Sequence, residues 1–316
     1  MIYLLLRGRL GNQMFQYSAA ESIQKQFYPD EEISLVLTDL KKLGTEEDGF
    51  KNALVDYKIN NFIVSEKIKI NLWQRMLLFG VRCMRYGFFT LLFPKSVEEK
   101  AYRFEKSIQP FLNYFGVYFM IQGYIELKSS KAKNKIMIGN FESAEYFNNI
   151  KEKLLIEFQP QKERLRRNEK LYSVIEKTES VCITIRRGDF VENSKFKKIH
   201  YICTPEYFKK AVDLMKVKIP TATFVVFSDD IEWVKNNMTF PGQVYYESGI
   251  DPVWEKLRMM SLCKHFIISN STFSWWAQYL SSNPNKMVIA PSIWKRVSYK
   301  SSKIDIYEEN WTTISV

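Results

Sequence analysis

Cysteine and histidine are scarce in this sequence of 316 residues, and their scarcity excludes several classes of protein. Only two histidines are present, His200 and His265, so a histidine-rich metal site is not expected. The four cysteines are widely spaced and include no C-x-x-C pair: Cys83, Cys182, Cys203 and Cys263. We therefore expect free thiols in a reducing, cytoplasmic compartment rather than a disulfide framework.

Long apolar runs are also missing. The apolar run after Met1 has five residues and ends at Arg7, so no secretory signal is expected. The stretch from 72 to 93, LWQRMLLFGVRCMRYGFFTLLF, is the one candidate for membrane contact, and three arginines interrupt it. It is too charged to span a bilayer as an isolated helix. It could lie on the anionic inner membrane surface, or pack in a core with its arginines at the rim.

Acidic residues are outnumbered in the chain. Aspartate and glutamate total 35 against 46 lysines and arginines, which gives a net charge of +11. This balance predicts an anionic partner: nucleic acid, an acidic membrane surface or a phosphorylated small molecule. The lysines are spread along the chain rather than clustered, so a nucleic-acid interface is the least favoured of the three.

Several catalytic signatures are absent as well. The sequence contains no H-E-x-x-H, no G-x-S-x-G and no D-x-D, the pattern that holds a metal on a nucleotide-sugar diphosphate. We therefore expect no metal and no other cofactor. If the chain handles a diphosphate, arginines and helix ends must supply the positive charge that a metal supplies elsewhere.

What the sequence does contain is a series of short, apolar, β-branched runs at 2–6, 33–37, 181–185, 223–228, 265–269 and 287–290. The later runs alternate with segments of helical periodicity, which predicts parallel sheets covered on both faces and hence an α/β fold. A polar stretch, IEFQPQKERLRRNEKLY, marks a boundary between two halves. We predict an N-terminal α/β domain over 1–155, a C-terminal Rossmann-like domain over 156–316, and a cleft between them.

The first candidate site is the turn RGRLGNQ, between the opening strand and the next helix. Gly8 and Gly11 would let the backbone approach a ligand closely, and the first N–H groups of the helix favour an anion. Arg7 and Arg9 add cationic donors. A structural turn with solvated arginines is the alternative.

The second candidate site is IRRGDF, at the carboxyl end of a buried strand, where ligands of open α/β sheets bind. Guanidinium groups bind phosphate oxygens bidentately, so Arg186 and Arg187 are candidates for holding a pyrophosphate, with Gly188 permitting the turn. The alternative is an Arg–Asp pair with Asp189 that ties the loop together.

Two more strand ends carry polar residues. In FSDD, Asp229 and Asp230 could cap the following helix or accept hydrogen bonds from ribose hydroxyls or a base. In IISNSTFSWW, hydroxyl side chains gather at a helix start, where they could form an anion site or act as ordinary caps.

Four stretches together, in this order and at these separations, carry a family resemblance: GRLGNQMFQYSAA, IRRGDF, FSDD and CKHFIISNSTFSWWAQYL. They resemble the α-1,2-fucosyltransferases of glycosyltransferase family 11. QGYIE and GNFESAEYF are similar to that family's QGY and Q-S-x-x-Y-F segments. The resemblance covers both ends and most of the second half, and it fades between about residues 40 and 115.

The resemblance implies a GT-B-like fold of two doubly wound, Rossmann-type domains facing a central cleft, with GDP-fucose as the donor and no metal requirement. It implies inverting transfer of L-fucose to the 2-hydroxyl of a terminal galactose, in an oligosaccharide or a lipid-linked glycan. The protein would act in the cytoplasm, and peripheral contact with the inner membrane would be compatible with its charge.

The family's site residues can be carried over by position. Arg187 would grip the β-phosphate, while Arg186 braces the loop or shares the contact. Gly11 and Asn12 would approach the fucose and the leaving oxygen. The diphosphate would be held from the other side by the hydroxyl loop, which consists of Ser271, Thr272, Phe273 and Ser274.

Inversion also requires a base, or a carboxylate that orients the acceptor hydroxyl. Asp189 and Glu142 are the candidates for this role, and the sequence does not choose between them.

The sequence departs from the family at two positions that bear on guanine recognition. Thr184 stands where the family usually has a histidine, two residues before the arginine pair. Lys256 stands where the family often has an aspartate that reads the base, and the neighbouring Glu255 could take over. An altered donor, or nucleotide-sugar binding without turnover, is therefore an alternative function, and a basic nucleic-acid-binding protein is a less favoured one.

Overall fold

The computed structural model describes residues 1–40, 44–46, 49–84, 87, 97–121, 123–296 and 306–316. The chain forms two compact units. The N-terminal unit runs from Met1 to Glu157, and the described residues Ile306 and Tyr307 are grouped with it. The C-terminal unit comprises Phe158–Arg296 and Glu308–Val316. The change from one unit to the other thus comes two residues after the predicted boundary at 155.

The N-terminal unit is built on a parallel sheet of five strands in the order β3-β2-β1-β5-β4. Its elements, in chain order, are β1 (Ile2–Leu5), α1 (Leu10–Phe27), β2 (Ile33–Val36), β3 (Ile63–Ser65), α2 (Leu72–Cys83), α3 (Val97–Tyr114), β4 (Val117–Met120), β5 (Lys135–Gly139) and α4 (Lys151–Glu157). The strand order reverses between β1 and β5, so the turns that follow these two strands leave the sheet side by side.

The C-terminal unit is built on a parallel sheet of six strands in the order β11-β10-β9-β6-β7-β8. Its elements are α5 (Glu169–Lys177), β6 (Glu179–Ile185), α6 (Gly188–Glu192), α7 (Ser194–His200), α8 (Pro205–Lys218), β7 (Ala222–Ser228), α9 (Ile231–Asn237), β8 (Val244–Tyr246), α10 (Val253–Leu262), β9 (His265–Ile267), α11 (Thr272–Tyr279), β10 (Val288–Pro291) and β11 (Thr312–Ile314). Counted from β6, this is the order 3-2-1-4-5-6 of a dinucleotide-binding Rossmann sheet, and it reverses between β6 and β9.

The central strands are apolar because both of their faces are buried. All seven residues of β7 and all four of β1 are buried. On α8, Tyr207, Ala211 and Met215 share one face and pack into the same core as β6 and β7. These sheets confirm the prediction of an α/β fold with two doubly wound, Rossmann-type domains. A GT-B-like fold is built on such a pair.

The candidate membrane segment begins as a helix, α2, and its residues 85, 86 and 88–93 lie outside the described residues. Leu78 and Val81 of α2 are buried in the core, while other apolar side chains of the helix are exposed. Within the described ranges, no helix combines the length and apolar character that crossing a bilayer would need.

Candidate active site

The arginine pair lies at the strand reversal of the C-terminal sheet. β6 is buried almost throughout and ends at Ile185, so Arg186 and Arg187 emerge at the carboxyl edge of the sheet. β7 and β9 flank β6; Asp229 and Asp230 follow β7, and the hydroxyl loop follows β9. The topology therefore gathers three of the predicted motifs at the edge where ligands of open parallel sheets bind.

The guanidinium of Arg186 is engaged by carboxylates on both of its terminal nitrogens. Nη2 donates to Asp189 Oδ1 at 2.6 Å, and Nη1 lies 2.7 Å from Asp229 Oδ2. The other oxygen of Asp229 accepts the backbone N–H of Arg187 at 2.8 Å. These contacts favour bracing of the loop, one of the two roles that the sequence leaves open for Arg186.

Gly188 is required here by close approach of a side chain. A Cβ atom at this position would lie 2.6 Å from Asp229 Oδ2, well inside van der Waals contact. The glycine thus lets Asp229 reach both arginines across the first turn of α6.

Arg187 is held differently. Its guanidinium carbon lies 3.2 Å from the centroid of the Trp233 ring, and its Nε lies 3.1 Å from Asp230 Oδ2. Among the described residues, neither Nη1 nor Nη2 of Arg187 has a hydrogen-bond partner, although the side chain is only 12% exposed. Stacking and one ion pair therefore fix the plane of the guanidinium while two terminal amino groups stay available to a ligand.

The two aspartates after β7 have structural roles. Asp230 Oδ1 accepts the backbone N–H of Trp233 at 3.3 Å and caps α9, as the capping alternative predicts. Asp229 bonds to both arginines. Their predicted contacts with ribose or a base stay predictions.

Below Arg186, two aromatic rings support the loop. The guanidinium carbon lies 5.6 Å from the Phe190 ring centroid, and Phe190 stacks on His200 at 5.0 Å. Burial, together with the charge of Lys295, lowers the pKa of His200 to about 4, so its ring is neutral at pH 7.

The hydroxyl loop follows β9 and is bonded to β6. The backbone N–H of Ser269 donates to Thr184 Oγ1 at 3.1 Å, and the hydroxyls of Ser269 and Ser274 lie 3.2 Å apart. Ser271, the cap residue of α11, makes no side-chain capping hydrogen bond. Ser271 and the helix start at Thr272, Phe273 and Ser274 therefore stand beside the arginine turn, at the neighbouring strand end. Their contact with a diphosphate stays a prediction.

Thr184 and Glu255, two residues considered for guanine recognition, lie in the protein interior. Thr184 is buried, and its hydroxyl accepts the bond from Ser269. Glu255 is fully buried; it accepts from the Leu165 backbone N–H at 2.9 Å and pairs with Arg258 at 3.0 Å. These contacts favour structural roles, and a guanine contact by Thr184 or Glu255 stays a prediction.

Lys256, which stands where the family often has an aspartate, forms a local ion pair. Its Nζ lies 2.9 Å from Glu247 Oε1, a buried carboxylate in the loop after β8. Because a buried carboxylate needs a partner, the lysine neutralises a charge that the chain itself supplies.

Asn270 belongs to the candidate loop IISNSTFSWW but was not among the predicted site residues, and the structure shows it as a positioning residue. The buried amide donates to His200 O at 2.9 Å and to Trp294 O at 3.0 Å. It thus joins the hydroxyl loop to the end of α7 and to the segment after β10. The signal was present, because an asparagine directly after a buried strand is a common local hydrogen-bonding residue.

In the N-terminal unit, the predicted turn follows β1. Gly8 has a left-handed backbone with φ of 73°, and a Cβ there would lie 2.6 Å from Asn12 Nδ2. Gln16 exchanges two hydrogen bonds with the backbone of Arg7, at 2.9 and 3.0 Å, and Gln13 donates to Gly8 O at 2.8 Å. Two buried glutamines that the sequence analysis did not single out therefore fix the turn.

The arginines of this turn have neighbours within the unit. Arg7 Nε lies 3.8 Å from Asp39 Oδ2, and Arg9 lies over the Phe50 ring at 5.1 Å. Arg9 is also the residue that precedes α1, and it provides no side-chain cap. Gly11 is buried and Asn12 is half-buried in the first turn of the helix.

Glu142 lies in the loop after β5, the strand next to β1 at the reversal. Its neighbour Phe141 is fully buried and has φ of 52°, a left-handed conformation that is costly for a bulky residue. The fold maintains this strained turn directly beside a carboxylate that is itself largely buried. The topology therefore brings Asn12 and Glu142 to adjacent strand ends of the N-terminal sheet.

The described residues contain no group of three or more His, Cys, Asp or Glu side chains arranged to hold a metal ion.

Comparison with known proteins gives one family over nearly the whole chain. The profile described as Glycosyl transferase family 11 matches residues 1–315. An α-1,2-colitosyltransferase of Escherichia coli is 31% identical over 320 aligned positions, which cover 98% of this chain and 97% of the relative. The O-antigen biosynthesis glycosyltransferase WbnK of Escherichia coli is 26% identical, covering 95% of this chain and 97% of the relative.

A human relative matches a shorter stretch. Galactoside α-(1,2)-fucosyltransferase 1 of Homo sapiens is 28% identical over 104 residues, which are 32% of this chain and 28% of the human protein.

Proposed function

The chain belongs to glycosyltransferase family 11, and from this premise we propose that it transfers L-fucose from GDP-β-L-fucose to the 2-hydroxyl of a terminal galactose, with inversion. Two relatives with different sugars in their names share the α-1,2 linkage, which supports the regiochemistry. The acceptor would be a galactose-terminated oligosaccharide or lipid-linked glycan.

The observation that carries the proposal is the way the guanidinium of Arg187 is held. Its guanidinium is stacked and mostly buried, and within the described residues its two terminal amino groups have no partner, which suits a phosphate that gains charge as a bond breaks. Arg187 would bind the β-phosphate, and the hydroxyl loop beside it would donate to the same diphosphate. Arg186, paired with two carboxylates, would keep the turn in place.

The reaction breaks the bond between fucose C1 and the β-phosphate oxygen, and GDP leaves with both electrons. The acceptor's 2-oxygen bonds to C1 on the opposite face, and its proton passes to a carboxylate. Fixed cations near the leaving oxygen lower the barrier because the negative charge there is larger in the transition state than in the bound donor. In this proposal the arginines supply that charge, and no metal is required.

Two carboxylates are candidates for accepting the proton. Asp189 already receives a charge-assisted hydrogen bond from Arg186, which engages one of its two carboxylate oxygens within the loop. Glu142 is buried in a turn held by the strained backbone of Phe141. These observations favour Glu142 as the base and Asp189 as a residue that positions Arg186.

A second candidate donor is GDP-colitose. The similarity to the colitosyltransferase extends over almost the entire chain, whereas the human fucosyltransferase matches 104 residues. Colitose is fucose without its 3-hydroxyl, so the two donors present the same diphosphate and differ at one polar group of the sugar. A site that hydrogen-bonds that hydroxyl would discriminate strongly against colitose.

The test uses the purified full-length chain with lactose as acceptor and EDTA present. GDP-fucose, GDP-colitose and GDP-mannose are supplied singly and then in competition, and the product is identified by mass spectrometry with linkage analysis. A 2-linked fucosyl product that survives EDTA supports the proposal. Preferential colitosyl transfer would show that GDP-colitose, rather than GDP-fucose, is the donor. A requirement for metal would overturn the proposed mechanism.

If no product forms, thermal stabilisation by GDP separates the remaining alternatives. Stabilisation without turnover would identify a nucleotide-sugar-binding protein, or an acceptor other than lactose. The absence of stabilisation would overturn the assignment of Arg187 to the diphosphate. RNA affinity that falls steeply with salt, without any response to GDP, would indicate the nucleic-acid alternative.

A further inference from the structure

Helix α2 carries apolar side chains on two opposite faces. Leu78 and Val81 point into the core of the N-terminal unit. The opposite face is exposed to solvent and consists of Leu72 (69% exposed), Trp73 (64%), Met76 (55%) and Phe79 (71%). At the angular spacing of an α-helix, these four residues fall within an arc of about 120°. Contiguous exposed apolar residues of this size mark an interaction surface.

The exposed apolar area continues onto the end of α3. Phe111 and Tyr114, in the last turns of α3, are exposed as well. Gln74 of α2 donates to Phe115 O at 2.8 Å, which fixes the start of α2 beside this end of α3. Because Gln74 also completes a capping box with Asn71, the exposed side chains are carried by a well-defined helix start.

Cations surround the same helix start. Gln74 donates to Asn134 O at 2.8 Å, and Asn134 donates to Lys69 O at 2.6 Å, so two lysine-bearing segments lie beside α2. Five exposed cations belong to this region: Lys67, Lys69, Arg75, Lys131 and Lys133. In the part of the chain that the structure describes, none of the five has an ion-pair partner.

We propose that this surface, called here the α2 surface and consisting of the exposed apolar side chains of α2 with the five cations, docks on an anionic phospholipid bilayer. The helix would lie in the interface plane, with Trp73 and Phe79 entering the boundary between headgroups and acyl chains. The cations would lie over the lipid phosphates. This resolves the two alternatives for 72–93 in part: one face of α2 packs in the core, and the other is left for a membrane.

Charge favours a bilayer over a second copy of this chain. A two-fold contact through the α2 surface would place the same unpaired cations opposite each other, which is unfavourable when the contact excludes water. An anionic lipid surface neutralises all of them at once. The proposal is independent of the donor and of the reaction.

Vesicle flotation with the full-length chain tests the proposal. We expect binding to phosphatidylcholine vesicles that contain phosphatidylglycerol, little binding to phosphatidylcholine alone, and weaker binding at high salt. The double variant Trp73→Ser/Phe79→Ser should bind at least about tenfold more weakly, and Lys69→Glu/Arg75→Glu should lose binding to a similar degree.

The controls are matched in exposure and charge. Val217→Ser/Ile250→Ser alters two equally exposed apolar side chains, and Lys209→Glu/Lys210→Glu alters two exposed lysines; both variants should bind like the unaltered chain. All substituted side chains are exposed, so the variants should keep their melting temperature and their transfer of sugar to soluble lactose.

Three results would overturn the proposal. The first is an unaltered chain that does not float with phosphatidylglycerol vesicles. The second is equal binding by the α2 variant and its control. The third is an unaltered chain that is dimeric in light scattering and becomes monomeric on Trp73→Ser/Phe79→Ser, which would show that the surface binds a second copy.

Discussion

The guanidinium of Arg187 lies flat against Trp233, with 3.2 Å between the guanidinium carbon and the ring centroid. This contact joins the turn after β6 to the helix after β7, and Asp230 completes it with an ion pair at 3.1 Å. A cation placed between an aromatic face and a carboxylate loses little freedom on binding a ligand, which is the condition for a preorganised phosphate site.

The first prediction concerns Arg187 itself. Arg187→Ala should lower kcat/KM by at least about 100-fold, because the leaving phosphate loses its fixed cation. Arg187→Lys should restore only part of the activity, since an ammonium cannot bind two oxygens in one plane. Steady-state kinetics with GDP-fucose, and GDP binding by calorimetry, measure both effects.

Arg164 provides a matched control for that experiment. It also combines an ion pair, with Glu176 at 2.6 Å, and stacking on a ring, Tyr172 at 4.4 Å. Arg164→Ala should leave kcat/KM within about twofold of the unaltered chain. An equal loss in both variants would show that Arg187 acts through stability rather than through the ligand.

The second prediction concerns the support of Arg187 by Trp233. Trp233→Leu should raise the KM for GDP-fucose by roughly 3- to 30-fold, the range that a cation–π contact of moderate burial corresponds to. Trp233→Phe keeps an aromatic face, so its KM for GDP-fucose should lie between those of the unaltered chain and Trp233→Leu. A KM that is equal in the leucine and phenylalanine variants would mean that the ring fills space and does not orient the guanidinium.

The third prediction concerns the close approach at Gly188. Gly188→Ala places a methyl group 2.6 Å from Asp229 Oδ2, so the carboxylate must move away from Arg186 and the Arg187 backbone. We expect a loss of about 1–2 kcal/mol in unfolding free energy, together with weaker GDP binding.

Gly80→Ala is the control for this substitution, since a Cβ at Gly80 in α2 meets no atom within 4 Å. It should raise the unfolding free energy slightly, because alanine is the better helix former. Urea denaturation measures both variants, and a stable Gly188→Ala protein with normal GDP binding would contradict the geometry.

The sequence predicted those strands that are continuously apolar. The runs at 2–6, 33–37 and 223–228 coincide within a residue with β1, β2 and β7, because strands buried on both faces are continuously apolar. β3, β4, β5, β8 and β11 were not predicted. β3, β8 and β11 are three residues long and at most half-buried, so they leave no clear apolar pattern. β4 and β5 are fully buried, and the sequence analysis missed them.

The sequence placed the arginine pair correctly at a strand end, and the family resemblance is confirmed by the match over residues 1–315. It did not reveal that carboxylates engage both terminal nitrogens of Arg186 while Asp230 and Trp233 hold Arg187, because Asp229, Asp230 and Trp233 lie more than forty residues away in the sequence. The strained turn at Phe141 was missed for another reason: nothing in a phenylalanine suggests a left-handed backbone.

The fourth prediction concerns the proton acceptor. Glu142→Gln should lower kcat by about 100-fold or more while leaving GDP-fucose binding unchanged, as expected for a base that acts on the acceptor hydroxyl. Asp189→Asn should act mainly through Arg186, lowering the melting temperature and donor affinity. The opposite pattern, with kcat lost only in Asp189→Asn, would assign the base to Asp189.

The fifth prediction concerns Asn270. Asn270→Ala leaves the carbonyls of His200 and Trp294 without their donor, and we expect a loss of about 2–3 kcal/mol in unfolding free energy. Asn270→Asp keeps the volume but removes the amide donors, so it should be at least as destabilising. Asn285→Ala, at an exposed site, should change stability by less than about 0.5 kcal/mol.

The last prediction concerns pH and His200, the ring that supports Phe190 under Arg186. Burial lowers the pKa of His200 to about 4, below its usual value near 6.5. Between these two values the unfolded chain binds a proton that the folded chain does not. The stability that the neutral, half-buried ring contributes is therefore fully present above about pH 6.5 and is lost as the pH falls towards 4.

Between about pH 7 and pH 5, this linkage should lower the unfolding free energy of the unaltered chain by about 1–2 kcal/mol, because solvent partly screens the half-buried ring. In His200→Gln that part of the decrease should be absent, because glutamine does not titrate. The burial of His265 also lowers the pKa of that ring, but His265 is present in both proteins and cancels in the comparison. Urea denaturation at the two pH values measures the difference, and parallel decreases in both proteins would show that His200 is not buried in its neutral form.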